Sequence, residues 1–268
     1  MTTAEIKHFG LKAGPFTKEI DDTELWLPTS KKGVVEEIVE VAQARESMGI
    51  FGDPGVGKNC LLRAVRHALS PKEFRLTYCQ NATLGRRDFY RQLCQALGLT
   101  PSATAAALFH AVTQHVSELA QQHQHPVFIL DEAHLLHQDT LDHLHILMNY
   151  EWDSKALLSL ILVGLPELLE RLALKRNRSL FTRLHHRVII DPLTPEDTAE
   201  YLRFRLGRVG CDRDLFTADA VALLHEAAQG SMRDIDRLAT RALRLAARTK
   251  KKLVEKDHLI AVRQEVPS

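Results

Sequence analysis

The chain has 268 residues with a formal net charge of +1, and 45% of its residues are hydrophobic. This length and composition allow one large or two small domains with a real core, and the balanced charge excludes a uniformly basic surface, so any patch for nucleic acid must be local. Four cysteines without C-x-x-C spacing, no signal pattern at the N-terminus and no apolar run longer than 157–165 lead us to expect a cytoplasmic protein outside the membrane.

The first element of the chain is a lead-in segment, residues 1–30, which precedes the regular structure. Its apolar pairs at 8–11 and 14–16 are interrupted by glycine and proline, which favours irregular backbone. Ser30 is a suitable N-cap for the helix that follows, because apolar residues recur at helical spacing from Val34 to Ala42.

A glycine-rich loop lies between an apolar run at 48–51 and an apolar-periodic stretch at 60–69, which predicts strand, loop and helix. The loop fits the phosphate-binding pattern G-x-x-x-x-G-K-[ST] at every defined position but the last, where Asn59 replaces Ser or Thr. Glycines let backbone N–H groups curl around a phosphate, the following helix points its positive end at it, and Lys58 can reach the β- and γ-phosphates. The predicted phosphate-binding residues are Gly52, Asp53, Pro54, Gly55, Val56, Gly57, Lys58, Asn59 and Cys60.

The segment after this loop predicts a strand and two helices. Residues 74–79 alternate like a strand, and 80–85 have the composition of a turn. Arg86 and Arg87 then begin an apolar-periodic helix, and a longer amphipathic helix spans about 105–121.

Two acids, Asp131 and Glu132, end a continuous apolar run at 127–130. Such a run predicts a central parallel strand, and the functional groups of parallel sheets lie at the carboxyl ends of their strands. Asp131 would therefore hold Mg²⁺, directly or through water, and Glu132 is placed to polarise a water for attack on the γ-phosphate. Asn59 is a second candidate ligand for Mg²⁺, although its amide oxygen lies one bond further out than the usual hydroxyl.

The rest of the chain alternates between helix and strand up to residue 192 and is helical after it. The patterns predict helices at 138–150 and 167–174 and strands at 157–163 and 188–190. This alternation predicts a right-handed parallel α/β sheet covered by helices on both faces.

The change in character at residue 192 divides the chain. We predict an α/β domain at 31–192 and a small all-α lid domain at 193–268. The lid helices are expected at 195–207, 217–229, 232–248 and 255–262.

This order of phosphate loop, acid-ended strand, further strand, basic stretch and helical lid resembles that of an AAA+ ATPase. The segments HFGLKAGPF, VGLPELLERL and LTPEDTAEYLRFRLGRVG are similar to the ExeA/general-secretion-protein-A type and to its transposon-encoded relatives, the TnsC/TniB/IstB-like helper ATPases. The resemblance covers about residues 5–262 and implies a P-loop NTPase fold that binds ATP and Mg²⁺. The lead-in would then either cover the adenine ring or pack on the core.

The resemblance also implies roles for single residues. Lys58 belongs to a Walker A loop, and the two acids form a Walker B pair with the catalytic glutamate. Arg233 resembles the sensor 2 arginine that reaches from the lid to the nucleotide. Arg183 lies where such families place the arginine finger, with Arg178 and Arg187 as rivals. A finger that enters a neighbour's site implies a head-to-tail homo-oligomer, either a ring or a filament.

Two positions depart from the family pattern, and both affect hydrolysis. Asn59 replaces the hydroxyl that ordinarily binds Mg²⁺, and Leu165 stands where relatives have a polar sensor 1 residue. Because a leucine cannot orient the attacking water, we predict ATP binding with slow turnover.

The resemblance leaves three roles open. The chain stops at the lid, which favours a transposition helper that assembles on duplex DNA and recruits or activates a transposase. Arg86 and Arg87 would then contact phosphates without reading sequence, and residues 241–252 form a second basic strip. The alternatives are an ExeA-like secretion or envelope scaffold without a DNA role, and an ATPase of the replication-initiator or helicase-loader type.

Overall fold

The computed structural model describes residues 1–80 and 85–264, and a five-stranded parallel sheet is its central feature. The sheet order is β2-β3-β4-β1-β5, so the chain crosses over between non-adjacent strands. The strands are β1 Ser47–Phe51, β2 Phe74–Cys79, β3 His125–Leu130, β4 Ser159–Gly164 and β5 Leu184–Ile189. The predicted parallel α/β sheet is therefore confirmed.

The three inner strands, β1, β3 and β4, are buried at every position. A strand alternates its side chains between the two faces of a sheet, so complete burial means that both faces are covered. The edge strands are partly exposed instead: β5 exposes every second residue, and β2 exposes Arg75 and Tyr78. The predicted covering of both faces is thus confirmed for the inner strands.

The helices have the bounds α1 Thr3–Phe9, α2 Thr29–Gln43, α3 Lys58–Ala68, α4 Arg86–Ala96, α5 Ala105–Gln121, α6 Gln138–Leu147, α7 Pro166–Ala173, α8 Arg178–Phe181, α9 Pro195–Gly207, α10 Ala218–Ala228, α11 Met232–Arg248 and α12 Lys256–Gln264. Most helices agree with the sequence patterns to within a few residues, whereas α1 and α8 were not predicted.

The chain divides into two compact units. Unit 1 comprises residues 1–31, 54–60 and 191–268, and unit 2 comprises 32–53 and 61–190. Unit 2 contains the sheet and a core of leucines and aromatic residues. Unit 1 contains α9 to α12, and the phosphate loop from Pro54 to Cys60 belongs to it.

The lead-in packs within unit 1. Phe9, Leu11 and Trp26 are buried in the same core as the residues of α9 to α12. The fully buried Arg205 of α9 donates hydrogen bonds to the carbonyls of Pro15 and Thr17, which attaches the lead-in to the lid helices.

Three local expectations need correction. The lead-in is not irregular throughout, because Thr3–Phe9 is a helix whose N-cap, Thr2, forms a capping box with Glu5. Ser30 is not an N-cap, since α2 already begins at Thr29; its hydroxyl donates to Asp197 instead, at 3.1 Å. The helix expected to reach residue 150 ends at Leu147.

The expected turn at 80–85 falls largely on residues 81–84, and the end of the expected lid domain falls on 265–268. Both segments lie outside the described residues. Within the described ranges, no helix combines the length and apolar character needed to cross a bilayer.

Candidate functional site

The carboxyl ends of β1 and β3 lie at one edge of the sheet in unit 2, with β4 between them. The glycine-rich loop leaves from the end of β1, and the two acids follow the end of β3. The Gly52 N–H donates to the Gly164 carbonyl at 3.2 Å, so the first loop residue is attached to the end of β4. Parallel sheets bind ligands at this edge.

The loop in unit 1 needs its last two glycines. Gly55 and Gly57 have φ angles of +85° and +100°, which a residue with a side chain adopts only at a cost. A Cβ on Gly55 would lie 2.4 Å from the Ser231 hydroxyl, and one on Gly57 would lie 2.9 Å from the Met232 sulfur. The loop therefore packs directly against the start of α11.

Two loop carbonyls are held by donors from outside the loop. The Met232 N–H donates to the Gly55 carbonyl at 2.9 Å, and the Lys31 ammonium donates to the Val56 carbonyl at 2.6 Å. The peptide bonds are trans, so each N–H points away from the carbonyl of its own peptide unit. The N–H groups of Val56 and Gly57 consequently point away from these two donors, which suits the binding of an oxyanion.

Arg233 is the second residue of α11 and lies beside the loop. Its Cβ is 3.0 Å from the position that a Cβ on Gly55 would occupy. The Ser231 hydroxyl caps the helix by accepting from the Asp234 N–H at 3.4 Å. The structure thus brings together, in unit 1, the phosphate loop and the arginine expected to act as sensor 2.

The end of β3 in unit 2 presents Asp131 with both carboxylate oxygens engaged. One oxygen accepts from the Glu132 N–H at 2.8 Å, and the other accepts from the Tyr78 hydroxyl at 2.5 Å. Asp131 is only 3% exposed, so these bonds satisfy a buried charge. Burial raises the pKa of Tyr78, and its hydrogen bond to Asp131 raises that pKa further. Tyr78 therefore remains a donor to Asp131 at neutral pH.

Glu132 has an exposed side chain on a strained backbone. Its φ angle of +53° lies in the left-handed region, which is uncommon for a residue other than glycine and is typical of functional sites. The His134 Nε2 lies 3.6 Å from a Glu132 carboxylate oxygen, whereas the His134 Nδ1 is buried without a hydrogen-bond partner among the described residues. Leu165 directly follows β4 and precedes α7, as expected for the sensor 1 position.

The three candidate finger arginines differ in their contacts. Arg183 pairs with Asp153 at 2.6 Å and donates to the Ser179 carbonyl. Arg187 stacks on the Phe181 ring, with 3.8 Å between the guanidinium carbon and the ring centroid. Arg178 is exposed at the first position of α8. Asp153 belongs to a run of three residues with positive φ angles, 151–153.

The residues expected to contact DNA fall at two places. Arg86 and Arg87 are exposed at the first two positions of α4 in unit 2. The second basic strip lies in unit 1, where Arg244 and Arg248 each approach the Glu5 carboxylate to 3.9 Å. Glu5 therefore offsets part of that strip's charge.

Several residues that contact the predicted site residues belong to no motif, and the sequence patterns did not identify them. They are Lys31, Tyr78, His134, Asp153 and Met232. The only signal for Tyr78 was its place near the end of a strand that neighbours the acid-ended strand. His134 directly follows the motif but has no defined role in it.

Known proteins resemble this chain in sequence and in fold. Residues 41–172 match the family model described as "AAA domain". Over 260 residues the chain is 31% identical to general secretion pathway protein A of Aeromonas hydrophila, a match that covers 94% of this chain and 47% of that protein. The chain thus spans about half the length of this relative.

Two solved structures share the fold. The Drosophila ORC bound to DNA superposes with a TM-score of 0.68 at 20% identity, over 97% of this chain and 65% of that chain. The Aeropyrum pernix ORC2 protein in its ADPNP and ADP complexes superposes with a TM-score of 0.69 at 15% identity, over 97% and 73% of the two chains. The expected AAA+ fold is confirmed by these superpositions.

Proposed function

We propose that this chain, which carries an AAA domain and has the AAA+ fold, is an ATPase that binds ATP with Mg²⁺ and uses it to control assembly. The observation that supports this most directly is the loop from Gly52 to Cys60, whose peptide units are turned by Lys31 and Met232 so that two N–H groups suit an oxyanion. The solved ORC2 relative is a nucleotide complex, which agrees with the same ligand for this loop.

The residues would divide the work as follows. The loop N–H groups and Lys58 bind the phosphates, and Arg233 adds a positive charge from the start of α11. Asp131 and Asn59 are the proposed ligands of Mg²⁺, which when bound offsets negative charge on the phosphates. Glu132 acts as the general base that orients and deprotonates the attacking water. Arg183 of a neighbouring copy would offset charge in the transition state.

The same residues argue for slow turnover. Asn59 has no hydroxyl for the metal, and Leu165 offers no polar group to the water. The test is steady-state phosphate release by the wild type, by Asn59→Thr and by Glu132→Gln as the hydrolysis-deficient reference. We expect slow release by the wild type and a several-fold increase in Asn59→Thr. Fast release that Asn59→Thr leaves unchanged would contradict the proposal.

We further propose that ATP-bound copies assemble head to tail on duplex DNA and serve as a transposition helper for a transposase. The support is the exposed pair Arg86 and Arg87 on α4, the fold shared with an ORC that was solved bound to DNA, and the resemblance of the sequence to transposon-encoded helpers. Contacts to phosphates would make this binding independent of sequence and sensitive to salt.

The double variant Arg86→Ala with Arg87→Ala tests the DNA proposal. Binding to unrelated duplexes should weaken equally, and the slope of log affinity against log salt should become shallower by about 1.8, at about 0.9 for each lost phosphate contact. Arg203→Ala, which removes an exposed arginine on α9, is the matched control and should change neither quantity. Full affinity in the double variant would remove these residues from the proposal.

The second candidate is a secretion-associated scaffold without a DNA role, and the 31% identity to general secretion pathway protein A favours it. ATP-dependent binding of duplex DNA distinguishes the two candidates. An assembly that forms with ATP but ignores DNA at low salt would favour the scaffold. The replication-initiator alternative predicts a preference for particular duplex sequences, whereas the helper predicts none.

A further inference from the structure

Lys31 is a buried lysine to which the sequence patterns assign no role. It is 5% exposed near the start of α2, and its ammonium donates to the Val56 carbonyl at 2.6 Å. The next residue, Lys32, is exposed, as lysines usually are. Burial of an ammonium is costly unless it makes strong hydrogen bonds, so the contact with the loop needs a reason.

The orientation of one peptide unit supplies that reason. The Val56 carbonyl and the Gly57 N–H belong to the same trans peptide and point in opposite directions. While the ammonium holds the carbonyl, the Gly57 N–H is fixed in the opposite direction, at the other edge of the same peptide unit. Gly57 immediately precedes α3, where the N–H groups of the first turn have no partner within the helix. One more fixed donor at this helix end strengthens an anion site.

The neighbouring peptide unit shows the same arrangement with a different donor. The Gly55 carbonyl accepts from the Met232 N–H, a backbone group that only a substitution by proline removes. The Val56–Gly57 unit depends instead on a side chain. Gly57 has a positive φ angle, and a glycine restrains the orientation of the neighbouring peptide unit only weakly. The hydrogen bond from the Lys31 side chain is therefore important for that orientation.

The surroundings of Lys31 include acidic groups of unit 1. Burial lowers the pKa of Lys31, while the charges of Asp197, Cys60 and Asp191 oppose that change. Asp197 also accepts a hydrogen bond from Ser30 and lies in the capping box of α9. The ammonium is therefore placed between the loop and acidic groups that favour its charge.

We propose that Lys31 is a positioning residue for the phosphates of ATP: it holds the Val56–Gly57 peptide so that the Gly57 N–H can donate to a phosphate oxygen. This rests on the proposed binding of ATP by the loop. Lys31 itself does not touch the ligand, which distinguishes it from Lys58.

The test compares ATP and ADP affinities of the full chain with Lys31→Met, and with Lys32→Met as the matched control. We expect Lys31→Met to weaken both nucleotides by about tenfold, because a misplaced donor loses much of its hydrogen bond. Lys32→Met should bind like the wild type. Lys31→Gln provides a second variant of the same site if Lys31→Met does not fold, as judged by its thermal melting.

A spectroscopic readout separates this role from general support of the fold. At saturating ADP, the amide proton of Gly57 should shift in nuclear magnetic resonance spectra of the wild type and of Lys32→Met. The shift should be lost or much reduced in folded Lys31→Met. Unchanged affinity, or an unchanged Gly57 shift, in a folded Lys31 variant overturns the inference while nucleotide binding stands. A wild type that binds neither nucleotide contradicts the proposed function itself.

Discussion

The phosphate loop and the acid pair are built in opposite ways. In the loop, Lys31 and Met232 hold carbonyls, so the N–H groups of the same peptides remain directed away from these donors. At the end of β3, the groups that would bind a metal are themselves engaged, because both Asp131 oxygens accept hydrogen bonds from Tyr78 and Glu132. The loop N–H groups are directed for the proposed phosphate, whereas Asp131 would have to bind a metal through oxygens that already accept hydrogen bonds.

This difference gives a physical reason for binding without rapid hydrolysis. A preorganised site loses little free energy on binding, whereas hydrogen bonds to a carboxylate withdraw negative charge from the oxygens that would bind a metal. The departures at Asn59 and Leu165 act in the same direction as the engaged Asp131. The expected result is a protein whose assembly follows nucleotide binding more closely than turnover.

The largest effect that tests this contrast is expected from Glu132→Gln. Loss of the general base should slow ATP hydrolysis by about 10²-fold or more, since general-base catalysis contributes about that much. ATP affinity should stay within about twofold of the wild type, because the glutamate does not belong to the loop. Single-turnover hydrolysis and equilibrium binding measure the two quantities.

Glu167→Gln, which changes an exposed acid in the first turn of α7, is the matched control and should alter neither quantity. A parallel loss of ATP affinity in Glu132→Gln would break the contrast. It would show that the acid end of β3 contributes to binding as much as the loop does.

The sequence patterns locate the proposed ligand-binding groups but not the residues that contact those groups. The loop and the acid-ended strand are local patterns, because their chemistry needs fixed spacing along the chain. Their supports are distant: Lys31 is 25 residues from Val56, and Tyr78 is 53 residues from Asp131. Which distant residue contacts the loop or Asp131 depends on the folded structure, so a rule based on sequence spacing does not identify that residue.

The fold was predictable for a related reason. Buried parallel strands and amphipathic helices each leave a periodic trace, and their alternation restricts the topology. The incorrectly predicted N-cap shows the limit of such periodic patterns. Ser30 has the right residue type, but α2 begins one residue earlier and the hydroxyl contacts Asp197 instead. The Asp153–Arg183 pair is also non-local, since the two residues are 30 positions apart.

An effect of intermediate size is expected from a change of pH. It concerns the stability of the fold and acts through β3, the strand that precedes Asp131 and Glu132. His125 begins β3, and its Nε2 lies 2.8 Å from the Ser159 hydroxyl. Burial lowers the pKa of His125 to about 4, and the charge of Arg45 contributes. Below pH 6.5 the unfolded chain therefore binds a proton that the folded chain does not. Stability should fall as the pH falls from 6.5 towards 4, by about 2 kcal/mol between pH 6.5 and 5.

Denaturant unfolding of the wild type and of His125→Asn at pH 7.5, 6.5 and 5 measures this dependence. The variant should lose most of the difference between pH 6.5 and 5. His137→Asn changes an exposed histidine before α6 and should keep the dependence of the wild type. If His125→Asn also kept the pH dependence, the sensitivity of stability to low pH would arise outside β3. The strand that precedes Asp131 and Glu132 would then be no less stable than the loop.

The smallest effect is expected from Tyr78→Phe, and it addresses the contrast most directly. The variant removes the donor that competes with a metal for one Asp131 oxygen, so Mg²⁺ should bind the ATP-loaded protein more tightly. A net hydrogen bond of about 1 kcal/mol corresponds to a change of about fivefold. The variant leaves one oxygen of the buried Asp131 without its donor, so it should also unfold at a lower denaturant concentration than the wild type. The Mg²⁺ concentration that gives half-maximal phosphate release is the measurement.

Tyr150→Phe is the matched control, because it removes a buried hydroxyl that has no hydrogen-bond partner among the described residues. It should leave the Mg²⁺ dependence unchanged. A Tyr78→Phe variant that needs more Mg²⁺ than the wild type would reverse the interpretation of Asp131. The tyrosine would then hold the carboxylate in place for a metal, as Lys31 is proposed to hold the loop for the phosphates.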